Sequence, residues 1–247
     1  MVSAIYWDMA MNAYKLAKAQ KDKKKTREYK ALCEKIFAGN KAQYCQFDFD
    51  DNNENTGWFI YDDIMWWTIS LARAYELFGV DEYLKLSEAS FKRVWYGSEK
   101  VGDTGSYDKE NGGMFWQWQP IRNPKPNKFG DGKMACINFP TVVAALTLYN
   151  NVPENRKEST SKRPDYQTKA QYLAKGKEIY EWGVENLLDK ETGKIRADLI
   201  CFVDETYDTS EELLLFDPNA TWKKTRLPGG SYTMREILKP VFIHGEC

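Results

Sequence analysis

The sequence predicts an all-α protein built from stacked helical hairpins, on three observations. Apolar residues recur with a helical period in six segments; the segments come in pairs; and the pair is repeated along the chain at intervals of some tens of residues. Units of this kind cannot bury their apolar faces alone, so they stack side by side, as an open solenoid or a closed toroid. A chain of 247 residues, 43% hydrophobic and 15% aromatic, can fill a sizeable core.

Taken in order, "YWDMAMNAYKLAK" and "TREYKALCEKIF" make the first hairpin, with Thr26 positioned to cap its second helix. "YDDIMWWTISLARAYELFG" stops at Gly79 and is followed by "DEYLKLSEASFKRVW", where Asp81 takes the cap position. The third hairpin pairs "INFPTVVAALTLYN" with "YQTKAQYLAKGKEIYEWGVENLL" across the polar linker "NVPENRKESTSKRPD". The first helices of the second and third pairs are the more apolar and should lie inside. Between these pairs runs a connection rich in Gly, Pro, Asn and Trp, from Tyr96 to Lys133. A loop that long in a compact domain is usually functional, and it should sit at one rim of the stack.

Composition excludes several classes. Thirty-five basic and thirty-six acidic residues leave a net charge of -1, which does not suit a nucleic-acid or anionic-membrane partner. Five scattered cysteines form no CxxC pair, so neither a disulfide framework nor a zinc site is expected. No apolar run is long enough to span a membrane, and no export signal is visible at the start. Nine Trp and fifteen Tyr are more than a core ordinarily needs, and amphipathic rings favour surfaces that meet polar ligands.

The chemistry centres on Asp62 and Asp63, adjacent acids in the first turn of an otherwise apolar helix. Capping and the helix dipole account for one of them. Two neighbouring carboxylates repel, and the low-dielectric walls of Trp66 and Trp67 one turn on would raise the pKa of the less hydrogen-bonded acid. One ionised and one protonated carboxyl is what glycoside hydrolysis requires. A DDxxD magnesium motif fails because its fifth position is Trp66. The run from Asp48 lacks the sixth-position Gly and twelfth-position Glu of a calcium loop.

The single histidine, His244, argues against a Ser-His-Asp triad or a histidine metal site, so neither a metal nor a cofactor is expected. In "NGGMFWQWQP", Gly112 and Gly113 permit close backbone approach, and Trp116 and Trp118 can stack on a sugar face. Asn138 opens an apolar helix, where an N-cap is the default, and "LDKETGKIRADLI" reads as a turn leading to Asp198.

In this order, "YDDIMWW", "GGMFWQW", "KMACIN" and "TGKIRADLI" resemble glycoside hydrolase family 76, the endo-acting α-1,6-mannanases, from about Tyr6 to about Thr225. The resemblance implies an (α/α)6 toroid with a groove along one rim, and hydrolysis of an α-1,6-mannan backbone with retention. It implies Asp62 as nucleophile and Asp63 as general acid/base, with Trp66, Trp67, Gly112, Gly113, Trp116, Asn138 and Asp198 around an α-mannan polysaccharide or oligosaccharide. It also implies a secreted or envelope location. Lys133, Met134 and Ala135 stand where the family tends to read Lys-Asn-Ala.

After "ATWKKT" the family's Tyr-Asn-Gln-Gly motif and further helices do not follow. About three of six hairpins are expected in a partial domain over residues 1–225. Residues 226–247, broken by Pro228, Gly229 and Gly230, read as an atypical tail from a shifted frame. Half a ring should expose apolar faces and hydrolyse poorly. The alternative is a non-catalytic helical module that binds carbohydrate or a protein partner.

Overall fold

The computed structural model describes residues 2–50, 58, 60–116, 132–195, 198–202 and 223–225. Of Val2, Gly132 and the last two stretches only the backbone is described. Six helices form three consecutive pairs: α1 (Val2–Ala19) with α2 (Lys23–Gln43), α3 (Tyr61–Phe78) with α4 (Asp81–Tyr96), and α5 (Ala135–Asn151) with α6 (Lys169–Asn186). Within the stack α3 packs against both α1 and α5, while α2, α4 and α6 each pack chiefly on their own partner. The first helices therefore form an inner row and the second helices an outer one, as the sequence predicts for the second and third pairs.

Helix ends follow local chemistry, with two corrections to the sequence reading. α2 starts a turn before Thr26, because the Asp22 side chain accepts from the Lys25 backbone N–H at 3.0 Å; the Thr26 hydroxyl instead donates to the Asp22 carbonyl. Asp81 does not cap α4. Val80 holds that position without a side-chain bond, and Asp81 and Glu82 lie in the first turn, where acids complement the helix dipole. The stop at Gly79 holds, with φ +67° and its N–H donated to the Tyr75 carbonyl. α6 opens on a capping box in which Thr168 and Gln171 each bond the other's backbone N–H.

The aromatic surplus fills the joint between the first two hairpins. Trp7, Phe37, Phe47, Trp67 and Tyr83 pack ring against ring at centroid distances of 4.7 to 6.1 Å. The Trp7 indole donates to the Cys33 carbonyl at 3.0 Å. Amphipathic rings suit this joint because their polar edges can satisfy backbone groups inside a core.

A small antiparallel sheet joins the helices, in the order β1 (Gly132–Met134), β2 (Asp198–Phe202), β3 (Lys223–Thr225), with Met134 opposite Asp198. The turn before it is built on Asp189, whose carboxylate accepts from the backbone of Glu191 and Thr192. Among the described residues, no helix is long and apolar enough to cross a membrane. Trp118 and the tail 226–247 lie outside the described residues.

Candidate active site

The first turn of α3 is held at two points, both on Tyr61. The Tyr61 backbone N–H donates to the Trp116 carbonyl at 3.1 Å, tying the helix start to the long connection. The Tyr61 hydroxyl donates to Asp103 Oδ1, and Asp103 Oδ2 accepts from Arg93 Nε at 2.9 Å. Arg93 Nη1 donates to the Phe49 carbonyl, and the Gly105 backbone N–H donates to Asp103 Oδ1. Arg93 and Asp103 are both buried, so this pair lies in a low-dielectric setting where loss of one partner would strand the other. No side chain caps α3, so the acids that follow Tyr61 are not serving as its N-cap.

Asp62 is 7% exposed, and its Oδ1 is sealed from solvent without a hydrogen-bond partner. Burial pushes its carboxyl up to about 7, and the neighbouring Asp63 charge pushes the same way. Hydrogen bonds from the Trp116 indole, the Cys136 thiol and the Asp63 backbone N–H act against that rise. Asp63 is half-buried, and its carboxyl is also raised by burial. Adjacent helix residues point about 100° apart, so the two acids face different surroundings, one deep and one nearer the surface. Cys136, in the first turn of α5, is raised well above an ordinary thiol by burial and then by Asp62. It thus stays a neutral S–H donor.

Around the pair the predicted residues divide. Trp116 is half-buried and reaches Asp62, and Trp66 is half-buried one turn along α3. Trp67 is corrected: it is 2% exposed and wedged against Phe47, Tyr44 and Trp7, which makes it a core residue rather than a groove wall.

Gly112 and Gly113 are corrected too. They have φ of +69° and +75°, and a Cβ on Gly113 would lie 2.5 to 2.8 Å from the Trp182 ring. The close approach they permit is by Trp182, whose indole also donates to the Asn111 carbonyl. Asn138 neither caps α5 nor faces a groove. Fully buried, it accepts from the Met114 N–H at 2.8 Å and donates to the Met114 and Met134 carbonyls at 3.1 and 2.8 Å, pinning the long connection to α5. Asp198 lies in β2 beside Met134, and its side chain falls outside the described residues.

Sequence reasoning missed Tyr61, Asp103, Cys136 and Lys133. Lys133 is fully buried, donating to Asp108 Oδ2 at 2.7 Å and to the Gly112 carbonyl at 2.6 Å, and so fixes the glycine turn from beneath. It holds the Asp108 carboxyl below its usual range even though burial alone would raise it. The signal available was a lysine directly before an apolar helix. Nothing marked Asp103, since its side-chain partners Arg93 and Tyr61 lie 10 and 42 positions away. Among the described residues, no group of three His, Cys, Asp or Glu side chains could hold a metal ion.

Comparison with known proteins gives two family matches: glycosyl hydrolase family 76 over residues 2–210, and the nicotinate phosphoribosyltransferase C-terminal domain over residues 186–247. The second begins at the last residue of α6 and takes in the tail. No curated protein matches.

Among solved structures, the α-1,6-mannanase GH76A of Salegentibacter sp. HEL1_6 is 22% identical, with a TM-score of 0.50, over 87% of this chain and 48% of that one. An inactive variant of that enzyme, with two consecutive aspartates changed to asparagine and α-1,6-mannotriose bound, is 19% identical. It has a TM-score of 0.51 over 85% of this chain and 46% of that one. A family 76 glycoside hydrolase from a bovine Bacteroides thetaiotaomicron strain is 17% identical, with a TM-score of 0.55, over 82% and 36%. The chain therefore spans about half the length of these structures or less, and at such identities the likeness is one of fold.

Proposed function

Because the chain belongs to glycosyl hydrolase family 76, we propose that it carries the catalytic half of a glycosidase acting on an α-1,6-mannan backbone through Asp62 and Asp63. The observation that carries this reading is the sealed, partnerless Oδ1 of Asp62 on a carboxyl raised to about 7 beside a second acid. A fold does not keep a costly buried acid next to a like charge for packing, and perturbed pairs of this kind gather at functional sites. The inactive relative altered at two consecutive aspartates, with a mannotriose bound, supports the same reading.

In the proposed reaction, Asp62 attacks the anomeric carbon as the carboxylate while Asp63, as the acid, protonates the departing glycosidic oxygen. A glycosyl ester on Asp62 results. Asp63, now a carboxylate, takes a proton from water, which attacks the same carbon and releases the sugar with its configuration retained. The free pair shares its protons, so a bound sugar decides which carboxyl is charged. Trp116 would both stack on a sugar face and donate to Asp62. A polysaccharide backbone does not pass a membrane intact, so an enzyme of this kind works in secreted or envelope-bound form.

The test is hydrolysis of α-1,6-mannan by the chain and by its Asp62→Asn and Asp63→Asn variants, together with labelling by a 2-deoxy-2-fluoro mannosyl donor and peptide mass analysis. The expected results are cleavage abolished in both variants and label on Asp62. Label on Asp63 would reverse the two roles, and cleavage surviving in either variant would remove the pair from the mechanism. Mannan binding without cleavage by the parent chain would favour a carbohydrate-binding module.

A further inference from the structure

A second gathering of polar side chains lies on the outer row, and none of the residues that reach Asp62 belongs to it. α4 places Lys85, Glu88, Ala89 and Lys92 at i, i+3, i+4 and i+7, along one face of the helix. That face, residues 47–50 and the linker between α5 and α6 border a cavity of about 430 Å³, within the range of about 300 to 1,000 Å³ found for small-molecule sites. One wall is held firmly. Arg156 grips both carboxylate oxygens of Glu88, the second through Nη2 at 3.1 Å, and the Tyr172 hydroxyl donates to Glu88 Oε1 at 3.0 Å. The Arg156 guanidinium in turn lies 5.1 Å from the centre of the Tyr166 ring, and Lys92 is fixed by Asp165 at 2.6 Å.

Against these paired groups stand three polar ends with no hydrogen-bond or ion-pair partner among the described residues: the Lys85 ammonium, the Asp50 carboxylate and the Tyr166 hydroxyl. They supply a donor, an acceptor and a group that is both, and Tyr166, 43% exposed, adds an aromatic face. The three bases and four acids of the lining nearly cancel, so no strong field selects a phosphate or a bare cation. Among the described residues no acidic group could hold a metal ion. Such a mixture suits a neutral polyhydroxylated ligand, because every hydroxyl both donates and accepts. The backbone is strained to build the remaining wall. Cys45, Gln46 and Phe47 hold φ of +48°, +58° and +57°, which L-residues rarely adopt, and strain of this kind gathers at ligand sites. Past that turn Phe47 and Phe49 are buried, while Asp48 and Asp50 keep contact with solvent at the cavity. The run that fails as a calcium loop thus gives its first and third acids to this place.

We propose that this cavity is a second carbohydrate site, in which a neutral mannosyl unit stacks on Tyr166 and its hydroxyls bond Lys85 and Asp50. The choice of mannose rests on the function proposed above; the preference for a neutral sugar rests on the cavity itself. A polysaccharide held here stays close to the chain while another stretch of it meets Asp62 and Asp63. The second contact raises the local concentration of backbone at the acid pair without taking part in the chemistry.

Nuclear magnetic resonance on the full chain tests this, with labelled tyrosine rings and tryptophan indoles and with both Asp62 and Asp63 changed to asparagine so that the sugar stays intact. The Tyr166 signal is identified by its loss in Tyr166→Phe, and the probe is α-1,6-mannotriose. The expected result is a saturable shift of the Tyr166 signal that persists in Trp116→Ala. Lys85→Ala, an exposed position whose substitution leaves the fold intact by circular dichroism, should weaken that response about tenfold, the loss of one charged hydrogen bond. A Tyr166 signal that stays still while the Trp116 indole moves overturns the second site and leaves the acid pair untouched. A Tyr166 shift in a chain that cleaves no mannan before the two aspartates are changed upholds the second site and removes the proposed reaction instead. Affinity unchanged by Lys85→Ala, or a Tyr166 signal moved by inorganic phosphate and not by mannotriose, also overturns the proposal.

Discussion

Replacing Asp62 with asparagine should stabilise the folded chain at pH 8 and leave it little changed at pH 4, unlike most substitutions of a buried residue. In the unfolded chain the carboxyl titrates near 3.8, and in the folded chain near 7. Below pH 4 it is protonated in both states and carries no charge penalty. Between pH 4 and 7 the folded state keeps a proton that the unfolded state has released, so stability falls as the pH rises. Above pH 7 the group is ionised in both states, and the full cost applies, on the order of 4 kcal/mol for a rise of this size. Asparagine keeps the volume and never ionises; any cost of burying its amide, about 1 kcal/mol, is independent of pH. Urea unfolding followed by tryptophan fluorescence at pH 4, 6 and 8 measures the difference between the two proteins. A difference that is the same at pH 4 and pH 8 would refute the claim that burial of Asp62 is paid in native stability.

Asn138→Ala removes the side chain that satisfies three buried backbone groups at Met114 and Met134, and should cost about 3 kcal/mol. Thermal melting checks it, and an unchanged melt with lost sugar binding would return Asn138 to the groove. Gly113→Ala drives a Cβ into the Trp182 ring and should destabilise by about 1 to 3 kcal/mol, with a change in the near-ultraviolet dichroism of the tryptophans. Trp116→Ala in an Asp63→Asn background should weaken mannan-oligosaccharide binding by about 1 kcal/mol, roughly fivefold, in calorimetric titration. Unchanged affinity would make Trp116 a structural partner of Asp62 only.

Helical elements were legible because they obey local rules. The period of α1, α3 and α5, the glycine stop at Gly79 and the pairing of segments all lie within one window of sequence. The small sheet was not legible, since β1 and β3 are three residues each and gain their partners only across more than 60 positions or across a connection of twenty. The site split along the same line. Asp62 and Asp63 announce themselves by adjacency on an apolar helix. The residues that hold them, Tyr61, Arg93, Asp103 and Cys136, are ordinary in their own neighbourhoods and acquire meaning only when folding brings them together.

Asn138 and Gly113 show why a residue can be singled out correctly and still be assigned the wrong partner. An asparagine at a helix start and a glycine pair in a loop both indicate that a backbone must be met closely by something. The sequence cannot say whether that something is a ligand or the protein itself. Here the protein answers in both cases: Met114 takes the asparagine and Trp182 takes the glycines. Asp62 is the opposite case: Trp116, Cys136 and the Asp63 N–H reach its carboxyl, yet its buried Oδ1 has no hydrogen-bond partner among the described residues. A buried acceptor left unmatched costs about 1 to 3 kcal/mol, and more when charged. Within a fold that elsewhere bonds its buried acids to Arg93, Lys133 and Arg156, that omission at the first turn of α3 is what separates a position shaped for a reacting sugar from one shaped for packing.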